Sequence, residues 1–474
     1  MRKSWVHRLS GTCLKLAVIF LCATCVHAQG TDIGNPPSSD PPVSDVQQLK
    51  DKLASLEQAM KEVKGQLTAL EAQHAVLDAV VMSKTPAPKA AQDAKKSSGA
   101  EGTIELYGFI MMDSGYDFGQ NDPNWFDVMR PTKLPSYTNQ FNNNGNVYFS
   151  VRQTRFGVKT STPTSMGDLK TQFEWELFGT GVDAGQTTLR LRHAYGELGQ
   201  FGAGQYWSPF MDIDVFPNSL EYWGPNGMPF FRNVQFRWMP IKGNSRVTVA
   251  VERPGASADQ GVYQGRVELQ GIRPHFDLPD FSMEAKLGRE WGYVKGSAIF
   301  RKISWVDLNK TPTHDLSGDV FGWGITLSSN VKFNQKNTGR FQVVYGEGVE
   351  NYMNDAPVDV GIKNNFSNPH TPLLGVPLPV LGVVSFLDHT WSERFSTAAG
   401  YSMVDIENSN GQSADAYHQG HYALANLLYY PVKNVMMGSE FQFGRRINYK
   451  DGFNYNDYRL QFSFKYNYSK IFSY

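Results

Sequence analysis

After residue 25 the chain contains no cysteine; its three are Cys13, Cys22 and Cys25. They sit in a segment with the form of a secretory leader. Arg2, Lys3 and Arg8 precede an apolar run over 14–25, interrupted by Lys15, and Val26-His27-Ala28 offers a small-residue cleavage site. Removal of residues 1–28 leaves a cysteine-free protein, which excludes disulfides and thiolate metal sites. Long apolar runs are also missing: the leader run is too short to span a bilayer as a helix, and nothing after residue 28 is long enough. Charge imbalance is missing too. Lys and Arg number 45 and Asp and Glu number 45, and a neutral chain gives no electrostatic basis for binding nucleic acid. No GxSxG, HExxH or Walker-type loop occurs, so neither an enzyme nor a cofactor is expected. His418 and His421 are the one close histidine pair. A strand is expected to begin between them, so they point differently and make a poor metal site. A lipid-facing catalytic barrel would need Ser and His on adjacent strands, and His193, expected to face lipid, stands alone.

Aromatic residues, at 13%, are abundant, as is glycine at 44 residues. From Leu460 one face reads Leu460, Phe462, Phe464, Tyr466, Tyr468, Lys470, Phe472, Tyr474, and the other is mostly polar. Side chains alternate across a strand, so this is a long strand with one greasy and one polar face. Such strands build transmembrane barrels, greasy face to lipid and polar face to a lumen. Alternation or β-rich runs recur sixteen times from residue 103: near 103–113, 147–159, 168–178, 187–198, 201–206, 233–239, 245–253, 280–289, 295–307, 319–332, 339–348, 382–391, 395–407, 419–430, 434–446 and 455–474. A run at 262–272 is left in a loop, because single-chain bacterial barrels have even strand numbers. With that choice every long connection falls on one side and every short one on the other. The fold class expected is therefore all-β, a 16-stranded antiparallel transmembrane barrel over 102–474.

Ahead of it the period changes. After a Pro/Ser/Asp-rich spacer (29–45), apolar residues are spaced three and four apart over 46–82. Leu49, Leu56, Val63, Leu70 and Leu77 fall at d, with Leu53 and Leu67 among the a positions, which is a coiled-coil seam and calls for partner chains. A linker rich in Ala, Pro and Lys follows (83–101).

The connection 207–232 follows the fifth strand. It has four prolines, the acids Asp212, Asp214 and Glu221, many aromatics, and no Lys or Arg before Arg232. A loop this apolar is better explained folded into the barrel than left in water, where it narrows the pore and presents its carboxylates to the lumen. Alternation places Arg155, Arg190, Arg192, Arg237 and Arg246 inward as an opposing wall, with Lys159, Arg459 and Lys465. Charges on the lipid face cost about 2–4 kcal/mol at the midplane, which supports inward placement. Glu174 and Glu176 also point inward.

The heptads, Ile104–Phe109, the stretch Val151–Lys159, the stretch Gly204–Asp212 and Tyr352–Asp355 together resemble the DcaP-like porins of Gram-negative bacteria. The resemblance implies homotrimeric barrels in the outer membrane, in contact with its lipid and lipopolysaccharide, a periplasmic coiled coil, and passive uptake of small anions such as dicarboxylates. The alternative is a structural tether or adhesin, the coiled coil reaching peptidoglycan or another periplasmic partner and the barrel serving as anchor.

Overall fold

The computed structural model describes Gln58, Lys61, 102–266 and 269–474. The leader, spacer, heptad residues (Leu49, Leu53, Leu56, Val63, Leu67, Leu70 and Leu77 among them) and linker lie outside the described residues.

Among the described residues sixteen strands form one closed antiparallel sheet. They are β1 (Thr103–Asp117), β2 (Asn146–Ser150, continued by Arg155–Thr164), β3 (Gly167–Phe178), β4 (Thr187–Leu198), β5 (Phe201–Trp207), β6 (Arg232–Ile241), β7 (Arg246–Glu252), β8 (Ile272–His275 and Asp280–Arg289), β9 (Gly292–Asp307), β10 (Gly318–Lys332), β11 (Asn337–Glu347), β12 (Pro379–Ser392), β13 (Phe395–Ile406), β14 (Tyr417–Tyr429), β15 (Val435–Asn448) and β16 (Asn454–Ser473). Closure is made by β1 against β16, in register from Thr103↔Ser473 to Asp117↔Arg459. Every one of the sixteen expected runs has its strand. Of the 262–272 run, the described residues 262–266 and 269–271 lie outside the strands, and at Ile272 the first piece of β8 pairs with the end of β9. The connection 349–381 contains an unexpected hairpin, Val360–Asn364 against Leu373–Pro377, outside the barrel sheet.

Period-two sequence becomes period-two burial. On β16, Phe462, Phe464 and Tyr466 are exposed outward while Arg459, Gln461 and Ser463 are buried inward. The outer face elsewhere carries Leu189, Val249, Phe321, Leu327, Val343 and Phe441, all exposed. One register break matters. Glu174 and Trp175, adjacent on β3, pair with His193 and Leu191 on β4, so Arg192 is an extra residue. This bulge turns both Arg192 and His193 inward. His193 is buried beside Tyr206 and Trp207, which corrects its expected lipid-facing position and removes the lone catalytic candidate on the lipid face.

The inner face is not uniformly polar. On β11–β14 the inward residues Val344, Val384, Phe386, Ala398, Tyr422 and Leu424 are apolar and buried. Two loops cover them: 118–145 through Met129 and Leu134, and 208–231 through Val215 and Met228, with Phe210 in the cluster that holds Val344. The core of this barrel is therefore inside it, between one side of the wall and the loops.

An arginine at position 327 would sit on the outer face, where Leu327 is 60% exposed. Leu327→Arg is expected to lower barrel stability by about 2–4 kcal/mol if that site lies near the bilayer midplane, measured by urea unfolding in lipid vesicles. Val344→Ala, at the covered inner wall, is expected to cost about 1–3 kcal/mol in the same assay.

Candidate functional site: the lumen and its folded-in loop

The loop 208–231 leaves β5 and travels around the inside of the wall. Its peptide groups need partners there, and inward side chains supply them. Lys295 on β9 donates to the Met211 carbonyl at 2.5 Å, and Thr326 and Asn330 on β10 donate to the Phe210 and Asp214 carbonyls. On β14 Asn426 donates to the Asn218 carbonyl. Glu440 on β15 accepts the Leu220 and Glu221 N–H groups at 2.8 and 3.0 Å. Gln461 on β16 and Gln153 beside β2 donate to the Leu220 carbonyl. The Tyr222 hydroxyl donates to Glu176 on β3, its ring stacked on Phe178 with centroids 4.0 Å apart. The returning chain passes so close to the wall that a Cβ at Gly227 would lie 2.0 Å from the Met403 carbonyl oxygen.

The loop carboxylates divide by role. Asp212 is buried, accepting from the Tyr293 hydroxyl at 2.9 Å and the Ser328 hydroxyl at 2.5 Å. Glu221 is buried and accepts from the Met129 and Gly224 N–H groups. Both hold the loop in place, and the expectation that they face open lumen is corrected. An apolar loop packed on an apolar wall needs satisfied polar anchors, and these carboxylates are among them. Asp214 alone of the three stays accessible, its side chain 45% exposed and 2.6 Å from the Lys286 ammonium.

The basic wall divides in the same way. Around Glu174 and Glu176 stand four guanidinium groups. Arg192 lies 2.6 Å from each carboxylate and is buried. Arg155 is 3.3 Å from Glu176, and Arg190 and Arg232 are both 3.7 Å from it. Arg155 and Arg190 keep about a quarter of their side chains exposed, whereas Arg192 and Arg232 are enclosed. A second group joins Arg246, 2.8 Å from Glu284 and one third exposed, to Lys295 on the same carboxylate at 2.7 Å. Arg340 pairs with Asp388 at 2.7 Å and donates to the Asp214 carbonyl. Lys159 is exposed over the Tyr107 ring, and Lys465 lies over Phe109.

Three expected wall residues are structural instead, and the first is Arg192, enclosed between Glu174 and Glu176. Arg237 is buried and donates to Gln235 and to the Trp207 carbonyl, where the loop begins. Arg459 is fully buried against Asp117 at 2.5 Å. Sequence reasoning missed Arg232, Lys286, Lys295 and Arg340. The signal was present for Lys286 and Lys295, which alternate with outward Met283, Leu287, Val294 and Phe300.

A profile of the family described as DcaP outer membrane protein matches residues 42–468. The chain belongs to the DcaP outer membrane protein family. Among solved structures this DcaP-family barrel is similar to the outer membrane channel DcaP of Acinetobacter baumannii, at 19% identity and a TM-score of 0.65, covering 78% of this chain and 99% of that one. It is also similar to the anion-selective porin from Comamonas acidovorans, at 10% identity and a TM-score of 0.49, covering 78% of this chain and 100% of that one. No curated protein matches the sequence. The protein is thus an outer-membrane β-barrel.

Gly227→Ala is expected to unseat the folded-in loop while leaving the barrel wall intact. Single-channel recording should then show a larger, noisier conductance, with unchanged heat-modifiable migration in gels.

Proposed function

We propose that this DcaP-family barrel is a passive diffusion channel for small hydrophilic anions, dicarboxylates among them, working as a homotrimer. The observation that carries the reading is the asymmetry of the inner wall. Its apolar side is covered by loops, and the side left polar exposes Arg155, Lys159, Arg190 and Arg246 against the single accessible loop carboxylate Asp214. Charges lining a low-dielectric passage set which ions enter, and a basic lining favours anions. The fixed charges need no movement and no chemistry, so selection is by size and field. Partly exposed arginines held near their carboxylates keep hydrogen-bond donors for a passing carboxylate, which planar guanidinium groups match well. The match to an outer membrane channel of the same family supports conduction.

The tether reading rests on the heptads over 46–82. Deleting them separates the two: a barrel that still conducts makes the segment an attachment or assembly device, not part of the channel.

Reversing Arg190 and Arg246 to Glu is expected to move the zero-current potential in a salt gradient toward the cation value, while the barrel stays folded. An unchanged potential would refute the assignment of selectivity to these residues. Arg192→Glu is expected to act differently. It leaves Glu174 and Glu176 without their closest cation, and breaking a buried pair costs about 3–5 kcal/mol. Loss of folded barrel in urea titration is the readout.

A further inference from the structure

The folded-in loop reaches the short-turn end of the barrel, which in bacterial barrels faces the periplasm. There Phe216, Pro217 and Asn218 form one side of a cavity of about 440 Å³. The other side is the turn 333–336, the start of β11, the end of β12 and Ser396 of β13. Farther along, β11 and β12 present the buried apolar Val344, Val384 and Phe386. At this end the same strands turn polar.

Two cations, Lys336 and Arg340, share the lining with one carboxylate, Asp388. Arg340 Nε lies 2.7 Å from Asp388 Oδ2, and a second N–H of that guanidinium donates to the Asp214 carbonyl. Asp388 Oδ1 receives the Asn218 N–H at a long 3.4 Å, so it keeps capacity for a better donor. Lys336 is exposed on its turn. The Asn218 side-chain amide donates to the Tyr430 hydroxyl at 3.1 Å and the Ser396 hydroxyl at 3.4 Å. That fixes its orientation and leaves its oxygen without a donor among the described residues. Thr338 and Thr390 add two hydroxyls, and Phe216 adds an apolar ring.

This lining is specific about what would fill it. One positive charge in excess favours an anion. Two open acceptors, Asp388 Oδ1 and the Asn218 oxygen, require hydrogen-bond donors, which a simple dicarboxylate dianion does not carry. Its second carboxylate would also meet Asp388, like charge against like. A neutral sugar has the donors but gives Lys336 and Arg340 no counter-charge. A molecule with one carboxylate and several hydroxyls answers every group, and the C–H face of a sugar ring suits Phe216.

We propose that this cavity is a periplasmic-side subsite for polyhydroxylated monocarboxylates of the hexuronate class. Arg340 and Lys336 take the carboxylate. Asp388 and the Asn218 oxygen accept from ring hydroxyls, and Thr338 and Thr390 bind the same hydroxyl rim. The groups are partly exposed, so a solute is held weakly enough to leave, as conduction requires. The inference rests on the anion reading above and names a substrate class for it.

The test uses single channels of the full-length protein in planar bilayers, with D-glucuronate, D-glucose and succinate as probes. Glucuronate is expected to interrupt the current at about one tenth of the concentration that either other probe needs. Lys336→Glu should raise its half-blocking concentration about tenfold. Thr338→Val with Thr390→Val should raise it about fivefold while leaving the zero-current potential in a salt gradient unchanged. Heat-modifiable migration in gels checks that both variants fold. An anion-preferring channel in which glucuronate acts no better than succinate or glucose would overturn the subsite and leave the anion reading standing. Block by glucuronate that neither variant weakens would overturn it equally. A zero-current potential on the cation side in the unmodified protein would overturn the anion reading, and the subsite with it.

Discussion

A loop folded into a barrel gives up bulk water for its peptide groups, and the wall must replace what water supplied. That constraint organises this structure. Lys295, Thr326, Asn330, Asn426, Glu440, Gln461 and Gln153 come from strands distributed around the barrel, and each meets a backbone group of 208–231 or its flank. A buried peptide group left unpaired costs about 1–3 kcal/mol, so losing a few of these partners would exceed what a marginal loop conformation can bear. The polar residues on the wall under the loop are thus explained before any solute is considered.

The rest follows from where the loop lies. Its apolar residues, with those of 118–145, cover the apolar inner side of β11–β14, and this is the packing core. The opposite side keeps its guanidinium groups partly accessible. Carboxylates interleaved among them, Glu174, Glu176 and Glu284, hold them apart and in place without neutralising all of them. A close pair at a partly exposed site contributes about 1 kcal/mol or less to stability. The accessible arginines are therefore better understood through the field they set up than through the stability they add.

Much of the barrel is legible in the sequence because the signal is local. Phe462-Ser463-Phe464 states its two faces in three residues. The folded-in loop is legible from a mismatch, since so many aromatics and prolines beside three acids make poor solvent-exposed sequence. Other features depend on contacts between distant residues and leave no local trace. The Arg192 bulge is decided by pairing with Glu174 and Trp175, so simple alternation puts His193 on the wrong face. Asp212 and Glu221 look like pore carboxylates until Tyr293, Ser328 and the Met129 peptide are seen to bind them. The apolar inner wall is hidden because Val384 or Leu424 beside an outward apolar residue carries no mark of which side it faces.

The central claim is that the lumen has a covered apolar side and an open basic side. Thiol accessibility from the aqueous phase tests it most directly, one cysteine at a time, with a small charged methanethiosulfonate reagent applied during conduction. The account predicts rapid modification of Arg246→Cys with a drop in current, and no reaction at Val384→Cys. Rapid modification at Val384→Cys with an inert Arg246→Cys would contradict it.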